Sequence, residues 1–210
     1  MDDLLLQPWT DLLGDSPEVR QQGRALLARY AEPHRRYHDR RHLSEVLEAL
    51  QSSTAGVAAP APVLCAAYWH DAVYDPTRTD NEERSAGLAA TVLGRLGLAA
   101  EDVAEVVRLV LLTATHDPAA GDDSGALLCD ADLAVLASPP ARYRAYAEAV
   151  RREYVHLDDG AFRSGRVAVL GRLAARPRLF TGERAHRRWD AVARRNLHDE
   201  LARLGAAPPP

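Results

Sequence analysis

Apolar residues recur at helical spacing along almost the whole chain, and that periodicity limits the fold more than any other feature. Val103, Val106, Val107 and Val110 repeat at i, i+3, i+4 and i+7, and Tyr143, Tyr146, Val150 and Tyr154 form a second stripe. Leu43, Val46, Leu47 and Leu50 make a third, while Trp189, Ala193, Leu197, Leu201 and Leu204 place a core face on a final helix from about Thr181. Short alternating runs between turn signals, the mark of strands, do not stand out. The fold expected is all-α.

Local signals divide these stripes into elements. Ser16-Pro17-Glu18 supplies an N-cap, a first-turn proline and an acid ahead of Leu26, Leu27 and Tyr30. A second helix is expected to carry His38 and His42, four residues apart, on one face. The third runs from about Pro62 and should stop near Asp75-Pro76, because proline disfavours helical backbone in the residue before it. Thr79-Asp80-Asn81-Glu82 has the form of a capping box, opening a helix that Gly94 or Gly97 closes. His116-Asp117-Pro118 ends the valine-faced helix, and Ala119 to Gly125 leads into a short helix bearing Asp130 and Asp132. Residues 1–15 read as an N-terminal arm or short helix, 16–205 as a single domain and 206–210 as a tail.

The 210 residues suffice for one substantial core. A balance of 26 basic against 30 acidic residues, net -4, lacks the electrostatic footprint of a nucleic-acid binder, so no nucleic-acid polymer is expected as a partner. Every basic residue is arginine and isoleucine is missing, a pattern of GC-rich coding bias more than of chemistry. Cys65 and Cys129 stand singly in apolar runs and read as buried thiols. No apolar stretch approaches the roughly 20 residues needed to cross a bilayer, and Met1-Asp2-Asp3 lacks the positive start of a signal peptide. No membrane partner and a cytoplasmic location are therefore expected.

Function is argued from His70-Asp71, which interrupts the mostly apolar run Ala66-Ala67-Tyr68-Trp69-His70-Asp71-Ala72-Val73-Tyr74. Desolvating ionisable side chains costs several kcal/mol unless a hydrogen bond, an ion pair or a metal compensates. His42 lies upstream and Asp130-Ala131-Asp132 downstream. Two imidazoles and two carboxylates form a mixed nitrogen and oxygen shell suited to one divalent ion of manganese, iron, cobalt, nickel, zinc or magnesium. Such an ion activates water and polarises a phosphoryl oxygen, which makes phosphate ester hydrolysis the natural outcome. Neighbouring residues on a helix point about 100° apart, so His70 and Asp71 converge on one ion only where a helix ends.

This ordered set resembles the HD-domain superfamily of metal-dependent phosphohydrolases, whose hallmark is a His, an adjacent His-Asp pair and a distant Asp. The resemblance covers most of the chain and implies an HD-type helical bundle built around its metal. It makes His42 the first ligand, His70 and Asp71 the doublet, and Asp132, within Ala131-Asp132-Leu133, the last, with Asp130 as the alternative. Tyr37-His38-Asp39-Arg40-Arg41-His42-Leu43, His70-Asp71-Ala72-Val73-Tyr74-Asp75, Asn81-Glu82-Glu83-Arg84-Ser85-Ala86 and Ala193-Arg194-Arg195-Asn196-Leu197 together resemble a bacterial subgroup of uncharacterised HD phosphohydrolases, which carries no substrate over. Dinuclear members have extra histidines between the doublet and the last Asp. Only His116 stands there in this chain, so a single metal is expected.

Asp71 is thus expected to act in catalysis as well as metal binding. His116 is a candidate to hold a second ion, bond a phosphate or protonate the leaving oxygen. Glu82 is a candidate proton relay, with the capping box as its structural alternative. His38, Arg41, Asn81, Arg194 and Asn196 are candidate substrate contacts, since guanidinium groups grip phosphate bidentately. The activity expected is hydrolysis of a phosphomonoester or phosphodiester of a small, nucleotide-like molecule by a metal-activated water. The alternatives are a non-catalytic nucleotide- or phosphate-sensing module and a di-iron HD-fold oxygenase. The apolar stripes are numerous enough for a homodimer.

Overall fold

Polar caps or first-turn prolines start six of the described helices, and two apolar clusters hold the helices together. The structure, a computed structural model, describes residues 2–54 and 57–205. Among these residues there are ten α-helices, one 3-10 turn and no strand. The helices are α1 (Asp2–Leu13), α2 (Pro17–Arg29), α3 (Arg40–Ser53), α4 (Ala61–Trp69) and α5 (Asn81–Arg95), followed by α6 (Ala100–Leu112) and α7 (Asp123–Asp132). The 3-10 turn Leu133–Ala137 leads to α8 (Pro140–Glu153), α9 (Asp159–Ala174) and α10 (Glu183–Arg203). The expected tail, 206–210, lies outside the described residues. Among the described residues, no helix is long and apolar enough to cross a membrane.

One cluster gathers Trp9, Leu26, Leu43, Leu50, Val63, Leu93 and Leu109 from α1 to α6, with Leu128 and Ala131 of α7. The other gathers Tyr143, Leu170, Phe180, Ala193 and Leu197 from α8, α9, α10 and the approach to α10. Trp189 packs against both. The first 13 residues include a helix that enters the core: Leu5, Leu6 and Trp9 are buried, and Trp9 Nε1 donates to the Val19 carbonyl at 2.8 Å. The close contact of α1 with α2 depends on Gly23, where a Cβ would stand 2.6 Å from Trp9 Cδ1 and from Leu6 Cδ1.

Three local expectations change. The third helix ends at Trp69 rather than near Asp75-Pro76. The backbone groups released there are met by a buried Arg35, which donates to the Asp71 carbonyl at 2.7 Å and the Ala72 carbonyl at 3.3 Å. Ser85 meets Val73, accepting from its N–H at 2.9 Å and donating to its carbonyl at 3.2 Å. His38 lies outside α3, because Asp39 caps that helix by accepting from the N–H groups of Arg41 and His42. The Thr79 capping box does not form: α5 starts at Asn81 without a side-chain cap, and the Asp80 carboxylate is engaged by Arg78. Gly97, at φ +84°, follows the end of α5 as expected.

Arg35 also donates to the His38 carbonyl at 2.9 Å, so one buried guanidinium ties the His38 segment to the turn after α4. Arg35→Met leaves three carbonyls, that of Ala72 buried and those of His38 and Asp71 half-buried, short of a donor. Each costs about 1–3 kcal/mol, so a total loss of roughly 3 kcal/mol or more is expected in urea unfolding. A loss under about 1 kcal/mol would show that water replaces the guanidinium there.

Candidate metal centre

Four side chains from three separate places in the chain converge. His42 enters from the first turn of α3, His70 and Asp71 from the end of α4, and Asp132 from the last position of α7. The early end of α4 is what lets adjacent residues aim at one point, since on a continuing helix they would diverge. His42 and His70 are buried, and their Nε2 atoms stand 3.1 Å apart. Asp132 Oδ1 lies 3.1 Å from His42 Nε2 and 3.5 Å from His70 Nε2. Asp71 Oδ2 lies 3.3 Å and 3.1 Å from the same two nitrogens.

His42, His70 and Asp132 form a group able to hold a metal ion, each offering an atom within 4.8 Å of the others. Three observations fit a cation there. Ligand atoms about 2.1 Å from one ion, at right angles to each other, stand about 3.0 Å apart, close to the separations found. His70 Nδ1 faces the Ala67 carbonyl oxygen at 2.8 Å, which only accepts, so Nδ1 donates there and Nε2 turns inward, the usual orientation of a metal-binding imidazole. Asp71 Oδ2 is buried and meets the geometry of a hydrogen bond with none of the described residues.

The electrostatics are those of mutually dependent charges. Burial disfavours the imidazolium of His42, but the carboxylates of Asp132 and Asp71 outweigh it and raise its pKa to about 9. Burial likewise opposes the charged forms of Asp71 and Asp132, and the surrounding histidines hold both well below the usual carboxylate range.

No protein-family model, curated protein or solved structure matches this chain.

Around the centre, His116 comes closest among the remaining candidates. Its Nε2 lies 2.7 Å from Asp132 Oδ2, so it orients the carboxylate whose other oxygen faces His42. His116 adopts φ 51°, a left-handed backbone that non-glycine residues seldom take, and Arg176 secures it by donating to the carbonyls of Thr115 and His116 at 2.7 Å. Asp130 points elsewhere: it accepts from the N–H groups of Thr181 and Gly182 at 2.8 and 2.7 Å, fixing the entry to α10. Burial pushes its carboxyl up to about 6 against those two donors.

His38 stands beside the centre. Its ring packs against His42 at 5.7 Å and stacks on Tyr74 at 4.1 Å, and its Nδ1 meets Glu153 Oε2 at 2.7 Å. The other five candidates are not brought to the centre. Arg41 is exposed and paired with Glu45 at 2.9 Å. Asn81 clasps the backbone of Asp75, accepting from its N–H and donating to its carbonyl. Arg194 holds Asp190 and the carbonyls of Ala174, Arg176 and Pro177. Asn196 donates to the carbonyls of Leu136 and Ser138, supporting the 3-10 turn. Glu82, half-buried at the start of α5, makes no hydrogen bond to the four central residues.

Three contributors escaped sequence reasoning. Glu153 is the most heavily bonded: its Oε1 accepts from the N–H groups of Arg36, Tyr37 and His38, and its Oε2 from Tyr74 and His38. An acid continuing the Tyr146, Val150 stripe of α8 was the available signal. Arg35 and Arg176 gave none, being two arginines among 26 basic residues.

Proposed function

We propose that this chain is a metal-dependent phosphohydrolase of the HD type, with one divalent cation held by His42, His70, Asp71 and Asp132. The reading is carried by the convergence of two imidazole nitrogens and two carboxylate oxygens, all but one of the measured pairs within 3.3 Å, at a buried point beside a cavity. A cation bound there polarises a phosphoryl oxygen and makes water a nucleophile at neutral pH. His116, the one histidine between the doublet and Asp132 in the sequence, is taken up by Asp132, which supports one ion rather than two. Its role is to position Asp132.

His38 and Asp132 both line the cavity, so a phosphate ester seated against the centre meets the His38 ring. With Nδ1 engaged by Glu153, Nε2 is the ring nitrogen left to hydrogen-bond the ester's leaving oxygen. Tyr74 stacking and the Glu153 contact hold the ring in place.

The test is phosphate release across nucleotide and sugar-phosphate substrates with manganese, nickel or cobalt added, alongside metal analysis of protein purified without chelator. Asp71→Ala is expected to lose both metal and hydrolysis. Full activity in that variant ends the proposal, and tight substrate binding without release identifies a sensor instead.

A further inference from the structure

The cavity beside the centre has a volume of about 410 Å³ and a divided chemistry. One end is made by His38, His116 and Asp132, and the remainder is mostly apolar, walled by Tyr146, Tyr154, Leu157, Phe162, Val169 and Leu173. The rings of Tyr154 and Phe162 lie 6.2 Å apart and turn an aromatic side towards it.

Three arginines reach its wall, and their charges are not equivalent. Arg166 is buried and neutralised by Glu200 at 2.8 Å. Arg176 spends its hydrogen bonds on two backbone carbonyls beside His116, and Arg172 has no carboxylate partner among the described residues. Asp132 is the single acid on the described wall, and it is already paired with His42 and His116. Two uncompensated positive charges therefore sit at the cavity. A second cavity, of about 350 Å³, also reaches His42 and Asp132, but its charged lining is mixed: Glu45, already paired with Arg41 and Arg142, stands there with Glu48 and Arg188, so it lacks the positive excess of the first.

We propose that the larger cavity takes the body of a dianionic phosphate monoester whose alcohol is uncharged, apolar and one or two rings in size, with Arg172 and Arg176 facing the phosphate. The inference rests on the phosphohydrolase reading and adds the substrate class to it. The volume is at the small end of ligand pockets, which leaves no room for a large second substituent on the phosphate. Two charges match a monoester dianion, whereas a triphosphate brings more negative charge than the wall compensates. A sugar phosphate would turn most of its hydroxyls onto aliphatic and aromatic faces, with the Tyr146 and Tyr154 hydroxyls, the first already engaged by Arg166, as the hydrogen-bonding groups of that wall.

Calorimetric titration of the manganese-loaded full chain with benzylphosphonate and methylphosphonate tests this without turnover, because neither carbon–phosphorus bond is open to hydrolysis. Benzylphosphonate is expected to bind at least about tenfold more tightly, through burial of its ring. Val169→Trp, at an exposed wall position, fills the cavity and should bring the two affinities within about twofold of each other. Phe162→Ser should narrow the gap by removing a wall. Equal affinities in the unaltered chain, or an undiminished preference in Val169→Trp, overturn the proposal. Phosphate release from phenyl phosphate, measured in parallel, separates the two readings. Release without benzyl preference removes only the substrate class, and preference without release keeps that ligand class but removes the phosphohydrolase.

Discussion

Asp132→Asn is expected to lower metal affinity by at least about a hundredfold and phosphate release by about a thousandfold, while leaving the helices intact. Asp132 serves three histidines at once: its Oδ1 faces His42 and His70, and its Oδ2 holds His116. The amide keeps the shape of the side chain but removes the negative charge and turns one acceptor into a donor aimed at a histidine. Metal content by mass spectrometry and phosphate release should therefore fall together while circular dichroism stays constant. Release at the unaltered rate would place the chemistry elsewhere. In the unaltered protein, a cation competes with the proton that the carboxylates hold on His42, whose pKa stands at about 9. Metal affinity should accordingly rise with pH up to about that value and weaken as the solution is acidified.

Glu153→Gln is expected to cost about 3 kcal/mol at pH 7 and almost nothing near pH 2. Burial works against the Glu153 carboxylate, but His38 and the backbone N–H groups of Tyr37 and Arg36 overcome it and depress its pKa from 4.5 to about 2. A difference of that size is worth about 1.4 kcal/mol per unit of pKa. Because the folded value is the lower one, the stabilisation is complete above about pH 4.5. It drains away as pH falls towards about 2, where the folded protein also takes up the proton. Urea unfolding of both proteins at pH 7, 4 and 2.5 reads the expected convergence, and a gap that persists to the lowest pH would show that the charge is not the cause. The same substitution loosens His38 from its Nδ1 contact, so it should also lower phosphate release.

The four residues that meet at the centre share one property: their chemistry is costly in an apolar setting. His70-Asp71 was legible because two ionisable groups inside Ala66 to Tyr74 need partners, and His42 and Asp132 were the groups that answered. Asp130 and Asp132 could not be separated from sequence, since they lie two residues apart on one short helix. The structure turns Asp130 to the N–H groups of Thr181 and Gly182 and Asp132 to the histidines. Asn81, Arg194 and Asn196 have the donors a phosphate site needs, but backbone groups with no other partner claim them first. The whole of α9, which walls the cavity, went unread because its apolar face is thin and arginine-rich.

From sequence alone came the all-helical architecture, the helical stripes and the identity of the groups able to share a cation, because periodicity and desolvation cost are local properties of the chain. The tertiary structure decided where α4 stops, which aspartate turns inward, which arginines stay uncompensated and which apolar side chains close a cavity. Those outcomes depend on partners distant along the chain, such as Arg35 for Asp71 and Glu153 for His38, and a hydrogen bond between distant segments leaves no spacing to read.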